Sequence, residues 1–343
     1  MAESSYFSAV ARFRDYLRFT KNRSERTAEA YDLALRRFGE YMGEADPLAA
    51  THDDLVMFAG KWLFDRKVGA NARKPYVAAV RTFFKWAAAG GGYLKKNPAV
   101  ALEYPKQSKT LPLQLTLGNA EKILHQPDLS TFKGLRDSAI MHLLIGCGIR
   151  VSALTGINEG DFVADTIARQ PRLLVRIRTK GDKEEMKILP QQADLVVRMY
   201  LEHPALLAMN RTISEGKYAG DKVVFVQTGN SQLPADQFIG EKRRMSRKAV
   251  TAMIKAYGRK AEIPETQLHP HAMRHLFGTE LVEGEVHMAR VQQAMGHSDP
   301  KSTAIYLHLA QAKMAAEIDR ANPLAKITTP ISQFLDRLNK PGK

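Results

Sequence analysis

The chain has 343 residues, of which 44% are hydrophobic and 25% are charged. This size is typical of two domains, and the composition excludes a disordered chain, a collagen and a transmembrane bundle. Lysine and arginine together number 51 against 36 acidic residues, which gives a formal net charge of +15. Such a charge favours a polyanionic partner, most simply nucleic acid, although it can also serve only to keep a protein soluble.

The sequence shows no sign of export or of a membrane span. The single cysteine, Cys147, lies in an apolar run and cannot form an intramolecular disulfide, so nothing requires an oxidising compartment. No stretch reaches the roughly 18 to 20 apolar residues that span a bilayer. Residues 1–19 mix charged residues among aromatic ones instead of forming the apolar core of a signal peptide. We therefore expect a cytoplasmic, nucleoid-associated protein with no membrane partner.

The first hundred residues have the spacing of amphipathic helices. Apolar residues recur at intervals of three and four from Tyr6 and again after Ser24. The segment Thr51-His-Asp-Asp has the residue types of a helix cap, and a further helix is predicted over about 72–89, where three glycines end it. These patterns predict a small helical bundle over residues 1–104.

A proline-rich stretch follows the predicted bundle. Pro98, Pro105 and Pro112 punctuate residues 93–113. Because proline disfavours helix at its own position and at the preceding residue, the stretch indicates an interdomain linker, which we place at 105–112. Residues 1–104 hold 17 basic and 12 acidic side chains, a net charge of +5, so the rest of the chain carries +10. Both halves are basic, which suits two domains that grip one polyanion.

Beyond the linker, residues 113–325 are predicted to form a larger, mainly helical domain with one small antiparallel sheet. Residues 172–178 alternate as a strand does, residues 185–189 resemble its hairpin partner, and Lys180-Gly-Asp-Lys183 forms the turn between them. Helices are predicted at 117–125, 135–147, 191–203, 246–261, 270–283 and 287–295.

Four segments of this domain set a basic or nucleophilic side chain in a tight turn or an apolar frame. Taken alone, each has an ordinary alternative: Arg150 can cap a helix at the surface, Lys180 can lie in a solvated turn, and Tyr306 can belong to a core. His271 and His275 have the i, i+4 spacing of a metal pair. No glutamate follows His271 and no cysteine cluster provides further ligands, so we expect no metal.

In chain order, Arg150, Lys180, His271-x-x-Arg274, Gly-His297 and Tyr306 resemble the tyrosine recombinase (phage integrase) family. His-x-x-Arg-His followed by Gly-His-Ser and a tyrosine nine residues later is a specific pattern, and the resemblance extends over nearly the whole chain. It implies a mainly α fold with a small antiparallel sheet. An N-terminal helical core-binding (SAM-like) domain would precede a C-terminal tyrosine recombinase catalytic domain.

The resemblance also implies catalytic roles. Arg150 and Arg274 match the arginines that clamp the scissile phosphate, and Lys180 matches the hairpin lysine that protonates the leaving 5′-oxygen. His271 and His297 match the two histidine positions around the phosphate, and Tyr306 matches the nucleophile. Elementary chemistry supports this assignment, because forked guanidinium groups neutralise the non-bridging phosphate oxygens. Deprotonating a tyrosine at pH 7 costs roughly 4 kcal/mol, so the nucleophile needs a base or an electropositive site. No cofactor is required.

The chain departs from the family pattern at one position. The pattern usually has Glu or Asp three residues after the first arginine, where this chain has Ala153. That acid orients its neighbours and does not react, so its absence concerns the support of the site and not the phosphate clamp. The sequence leaves open whether Asp161 or another acid takes its place.

Basic residues outside the predicted active site are candidates for phosphate contacts along a duplex, with a solvated charged surface as the alternative for each. They are Arg73, Lys74, Lys106, Lys109, Lys242, Arg243, Arg244, Arg247 and Lys248. The resemblance implies that two domains clamp double-stranded DNA and that two protomers bind inverted arms of a core site. It further implies a homotetramer in the synaptic complex, and we expect a monomer free in solution.

The C-terminal segment, residues 326–343, carries an apolar stripe on a short predicted helix. The stripe consists of Ile331, Phe334, Leu335 and Leu338. We expect it to dock on a neighbouring protomer, with packing on its own chain as the alternative.

Together these features predict a site-specific DNA recombinase that cuts and rejoins DNA through a covalent 3′-phosphotyrosine, without metal or ATP. One alternative is a type IB topoisomerase, which shares the phosphate chemistry but acts as a monomer. Another is a recombinase-like DNA-binding protein without strand exchange. A nucleophile such as Tyr306 argues against the second alternative, because binding alone has no use for it.

Overall fold

The computed structural model describes residues 5–106, 114–167, 170–178, 184–230, 232–287, 290–291, 294–295 and 317–339. The chain divides into two compact units, Met1–Leu111 and Pro112–Lys343. The described residues are mostly helical and include a three-stranded antiparallel sheet in the second unit. The predicted fold class is therefore confirmed.

The N-terminal unit is a helical bundle. Its α-helices are α1 (Ser5–Asp15), α2 (Glu25–Met42), α3 (His52–Met57), α4 (Leu63–Asp65) and α5 (Ala70–Ala89), with π-helical turns at Tyr16–Thr20 and Phe58–Trp62. Ser24 caps α2, and Thr51 forms a capping box with Asp54 at the start of α3. These side chains satisfy backbone N–H groups that a helix start leaves without partners, so both boundaries follow from local sequence.

Aromatic rings fill the core of the bundle. Phe38 and Phe83 are fully buried, and each meets the Tyr6 ring edge to face, with centroids 6.3 and 5.6 Å from it. Ala99 and Leu102 are buried in the same core, so the chain still packs on the bundle after α5 ends. Pro105 and Lys106, the described part of the predicted linker, are in neither helix nor strand.

The C-terminal unit is larger. Its elements are α6 (Leu117–Leu124), α7 (Phe132–Gly146), α8 (Val151–Leu154), β1 (Phe162–Ile167), β2 (Gln170–Arg178), β3 (Glu184–Ile188), α9 (Gln191–Leu201), α10 (Pro204–Leu207), α11 (Arg247–Lys260), α12 (Pro270–Glu283) and α13 (Pro330–Asn339). Helix α7 is buried along most of its length and packs against α9 and α12. It begins three residues before the predicted start, because Thr131 caps it by accepting a hydrogen bond from the Gly134 backbone N–H at 3.0 Å.

The three strands run in the order β1-β2-β3. Strands β2 and β3 form the predicted hairpin, in register through Leu174 with Ile188 and Arg178 with Glu184. Strand β1 was not predicted, because four consecutive residues, 163–166, are exposed and give no alternating pattern. The predicted turn residues Lys180–Lys183 lie outside the described residues.

The C-terminal segment is anchored on its own domain. Ile331 of α13 is buried in the main core, and Thr329 donates a hydrogen bond from Oγ1 to Gln192 Oε1 at 2.8 Å. The start of the tail therefore packs on its own chain, whereas Phe334 and Leu338 stay 41% and 60% exposed.

Among the helices of the described residues, none combines the length and the hydropathy that a membrane span needs.

Candidate active site

A glycine turn between α7 and α8 positions the first predicted arginine. Helix α7 ends at Gly146, and Arg150 occupies the N-cap position of α8. Gly148 between them has φ +57°, and an added Cβ there would lie 2.3 Å from Cδ1 of Phe277. The left-handed backbone and the close contact with α12 both require glycine. The turn thus fixes where the half-buried side chain of Arg150 begins.

The second predicted arginine lies on α12 and is joined to this turn. Helix α12 begins at Pro270, as predicted, and Nδ1 of His269 caps it by accepting from the Ala272 backbone N–H at 3.0 Å. Arg274 is only 7% exposed. Its guanidinium donates hydrogen bonds to the carbonyl oxygens of Gly148 and Met295. These two carbonyls orient the guanidinium and leave its other N–H groups for a further acceptor.

The two arginines lie close enough to perturb each other. Burial and the positive charge of Arg150 lower the pKa of Arg274 to about 10, while the negative charge of Glu185 opposes the change. Placing two guanidinium groups together in a partly buried site is unfavourable unless an anion lies between them. The arrangement therefore suits a bound phosphate.

The predicted histidine His271 stands in the first turn of α12, one turn before Arg274. Its side chain is exposed, as is that of His275. Burial, His271 and His275 together lower the pKa of His269. His269 is thus kept neutral, the state in which Nδ1 can accept the capping hydrogen bond. Among the described residues, no group of three His, Cys, Asp or Glu side chains could hold a metal ion.

The structure adds two charged residues that the sequence analysis missed, Glu185 and Lys187 on β3. Lys187 Nζ lies 3.2 Å from Glu185 Oε2 and donates to the Ala294 carbonyl at 2.5 Å. Burial lowers the pKa of Lys187, Glu185 and Cys147 raise it, and Arg274 lowers it. Residues two apart in a strand share one face, so the sequence alone could have placed Glu185 and Lys187 together, on the face opposite Met186 and Ile188. Only the fold shows that this face points inward.

Asp161 does not take the place of the acid missing at position 153. Its carboxylate is fully buried and accepts a hydrogen bond at 2.6 Å and a second, shorter one from the guanidinium of Arg178. It also accepts from the backbone N–H of Asn158 at 2.9 Å. Asp161 therefore supports the end of β2, where Arg178 lies.

Lys180, His297 and Tyr306 lie outside the described residues. Of the predicted catalytic set the structure describes Arg150, His271 and Arg274, and it brings the two arginines together. Ala294 and Met295 are the last described residues before His297 and Tyr306. The Ala294 carbonyl accepts a hydrogen bond from Lys187, and the Met295 carbonyl accepts one from Arg274. The chain re-enters the described part at Glu317, which pairs with Arg290.

The candidate DNA-contacting residues divide into two groups. Arg73, Arg243 and Arg244 are engaged within the protein. Arg73 donates to the Gly60 carbonyl at 3.3 Å, and Arg243 donates to the Asn210 carbonyl at 3.2 Å and lies over the Phe238 ring. Arg244 binds Glu241 and the 155–158 turn, so its donors serve the fold.

The remaining described candidates, Lys74, Lys106, Lys242, Arg247 and Lys248, are exposed. Arg247 and Lys248 occupy the first turn of α11, which contains no acidic residue. Cations are unfavourable next to the positive end of a helix dipole, so these two side chains do not stabilise the start of α11. Lys109 lies outside the described residues.

Comparison with known proteins identifies the class. The phage integrase family model matches residues 114–313, and the model of the phage integrase N-terminal SAM-like domain matches residues 10–91. A tyrosine recombinase XerD of Listeria monocytogenes serotype 4b (strain F2365) is 30% identical over 320 residues, which cover 91% of this chain and 98% of that protein. A tyrosine recombinase XerD of Staphylococcus aureus (strain N315) is 30% identical over 319 residues, with the same coverage.

Solved structures share the fold. XerH site-specific recombinase, solved with a palindromic difH substrate, aligns with a TM-score of 0.62 at 16% identity, covering 92% of this chain and 82% of that one. A lambda integrase (75-356) dimer bound to a COC′ core site aligns with a TM-score of 0.61 at 16% identity, covering 87% and 98%.

The chain belongs to the phage integrase family. It is a site-specific DNA recombinase of the tyrosine type, and the predicted family, fold and enzyme class are confirmed.

Proposed function

We propose that this recombinase cuts and rejoins DNA through a covalent bond between Tyr306 and a 3′-phosphate. The observation that carries the proposal is the pair of guanidinium groups of Arg150 and Arg274, brought together by the Gly148 turn. A scissile phosphodiester between them would replace mutual repulsion with two forked, charge-assisted contacts.

The chemical step follows from this clamp. The Tyr306 oxygen attacks phosphorus, the new O–P bond forms opposite the leaving 5′-oxygen, and the old P–O5′ bond breaks. His271 takes the phenol proton, Lys180 donates a proton to the leaving oxygen, and His297 donates a hydrogen bond to a non-bridging oxygen. Guanidinium groups fixed in advance stabilise the charge that develops on those oxygens.

Rejoining is the same reaction in reverse. The phosphotyrosine keeps the energy of the phosphodiester bond, so a 5′-hydroxyl from a second strand can attack it without ATP. His271 and Lys180 exchange roles, since the acid of one direction is the base of the other.

Binding of double-stranded DNA rests on the exposed cations. Lys242, Arg247 and Lys248 lie at and just before the start of α11, and Lys74 and Lys106 are exposed in the N-terminal unit. We propose that both units bind one duplex through such phosphate contacts. Binding would then weaken steeply with salt, because each phosphate contact releases a counterion.

Two protomers would bind inverted arms of a core site, and two such sites would form a tetramer at the nucleoid. The outward apolar pair of α13, Phe334 and Leu338, is the proposed contact with a neighbouring protomer. The double substitution Phe334→Ser, Leu338→Ser tests this, since Ile331 still anchors the helix in cis. We expect dimers on a single site to form with lower cooperativity, whereas unchanged cooperativity would exclude the contact.

A nicked suicide duplex tests the reaction. The duplex carries a sequence selected by binding from a random library, with the nick placed so that cleavage releases a short oligonucleotide and prevents reversal. We expect the wild-type chain to become covalently attached and the Tyr306→Phe variant to bind without attachment. Covalent attachment in the Tyr306→Phe variant would exclude Tyr306 as the nucleophile, and absence of attachment in the wild type would contradict the proposed chemistry.

A further inference from the structure

One carboxylate faces the cationic cluster at the active site among the described residues. Glu185 and Lys187 form an ion pair on the inner face of β3, with side chains 16% and 9% exposed. Glu185 also interacts electrostatically with Arg274, which in turn interacts with Arg150. Three cations, Lys187, Arg150 and Arg274, therefore share a single neighbouring carboxylate, Glu185.

The same cluster holds the chain that leads to the nucleophile. Lys187 donates to the Ala294 carbonyl and Arg274 donates to the adjacent Met295 carbonyl. Two neighbouring carbonyls are thus fixed by two cations, and Glu185 interacts with both of those cations. A change at Glu185 would reach both the phosphate clamp and the point where the segment containing His297 and Tyr306 begins.

Two other positions where an acid could act do not provide this charge. Asp161 is committed to Arg178 and to the Asn158 backbone. Position 153 lies three residues after Arg150, where an acid could face that arginine across one helical turn, but it holds alanine. Like charges gathered in a low-dielectric site repel strongly, so the cluster needs a counterion while the phosphate is absent.

We propose that Glu185 is the positioning acid of this active site, holding Arg274 and Lys187 in the geometry that phosphate cleavage needs. The proposal rests on the catalytic role proposed for Arg274. It places the supporting acid on β3, whereas the family pattern usually has it on the helix after the first arginine.

Glu185→Gln tests the proposal, with Glu184→Gln as the matched control. Glu184 precedes it in the same strand, is half exposed and faces Arg176 and Arg178 on the other side of the sheet, at 3.7 and 3.6 Å. We expect Glu185→Gln to slow covalent trapping on the suicide duplex by roughly tenfold to a hundredfold. The affinity for uncut duplex, measured in the Tyr306→Phe background, should not change. The proposal would be overturned if Glu185→Gln were trapped at the wild-type rate, or if Glu184→Gln slowed trapping as much as Glu185→Gln does.

The pH profile separates positioning from a general loss of structure. Lys187 is faced by Glu185, Cys147 and Arg274, and the carboxylate raises its pKa against burial and the arginine. Without the carboxylate, Lys187 loses its proton at a lower pH. The alkaline limb of the trapping rate should therefore shift to lower pH in Glu185→Gln. A uniform decrease at every pH would indicate a structural role and overturn the proposal.

The double variant Glu185→Gln, Lys187→Gln removes both charges of the ion pair and keeps the test usable if the single variant does not fold. We expect it to trap as slowly as the single variant, because Arg274 still lacks its counterion. Recovery of wild-type trapping would show that Glu185 serves only to neutralise Lys187, and would overturn the proposal. If the wild-type chain itself does not become covalently attached, the proposed function is contradicted instead.

Discussion

Gly148 is the position where backbone geometry and catalysis depend on the same residue, and Gly148→Ala tests both. A residue with a Cβ at φ +57° costs about 1–2 kcal/mol. The added Cβ would also lie 2.3 Å from Phe277, and overpacking of this kind costs about 1–3 kcal/mol. We therefore expect the free energy of unfolding of the catalytic unit to fall by about 2–5 kcal/mol.

The chain allows the two units to be followed separately in a urea titration. Both tryptophans, Trp62 and Trp86, belong to the N-terminal unit, so their fluorescence reports on the bundle. Far-ultraviolet circular dichroism reports on helices of both units. Gly148→Ala should shift the dichroism transition of the catalytic unit and leave the fluorescence transition in place.

Gly216→Ala is the matched control in the same unit. Gly216 has φ +84°, and no atom lies within 4 Å of an added Cβ. It should lose only the backbone contribution, about 1–2 kcal/mol. Equal losses for Gly148→Ala and Gly216→Ala would refute the argument that Phe277 makes the turn intolerant. Because the Gly148 carbonyl accepts from Arg274, covalent trapping should also fall more in Gly148→Ala than in Gly216→Ala.

Three further substitutions test an arginine that stabilises the fold, a lysine proposed to contact DNA, and a buried histidine. Arg244→Met leaves the carbonyls of Thr155 and Ile157 without their donor, so the free energy of unfolding should fall by about 2–4 kcal/mol, measured by urea titration. Lys248→Ala should leave stability nearly unchanged and reduce the slope of log Kd against log salt by about 1, measured by filter binding; an unchanged slope would exclude a phosphate contact. Burial lowers the pKa of His142 to about 4 from the ordinary 6.5, so its contribution to stability is complete above pH 6.5 and is lost as pH falls towards 4. His142→Leu should remove about 3 kcal/mol of that pH dependence, compared with the wild type by denaturation at each pH.

Local signals in the sequence were sufficient where one side chain decides the structure. Ser24 and Thr51 cap helices through bonds to residues three positions away, and Pro270 begins α12 as predicted. Arg150 and Arg274 were recognisable from spacing, and the fold brings them together. In each case the residues in contact are close together in the sequence, or the residue belongs to a specific motif.

Long-range contacts account for what the sequence could not predict. Arg244 was a candidate for DNA contact until the fold placed the 155–158 turn, some 90 residues earlier in the chain, against its guanidinium. Glu185 and Lys187 lie next to the predicted hairpin turn, yet nothing local states that their side of β3 faces Arg274. The usual position of the supporting acid drew attention to Ala153 and Asp161, which provide no such charge.

The charge of the described site fits the reaction better than it fits the bound substrate. Arg150 and Arg274 contribute positive charge, and Glu185 forms an ion pair with Lys187 and partly offsets the charge of Arg274. A phosphodiester carries one negative charge, and attack by a phenolate brings a second onto the reacting group. A site with an excess of positive charge therefore stabilises the transition state more than the ground state, which is the difference in binding that accelerates a reaction. Glu185→Gln would remove the carboxylate that interacts with Arg274 and pairs with Lys187, so these cations would lose the partner that holds them before the transition state forms. A supporting acid thus sets the charge of the site as well as its geometry.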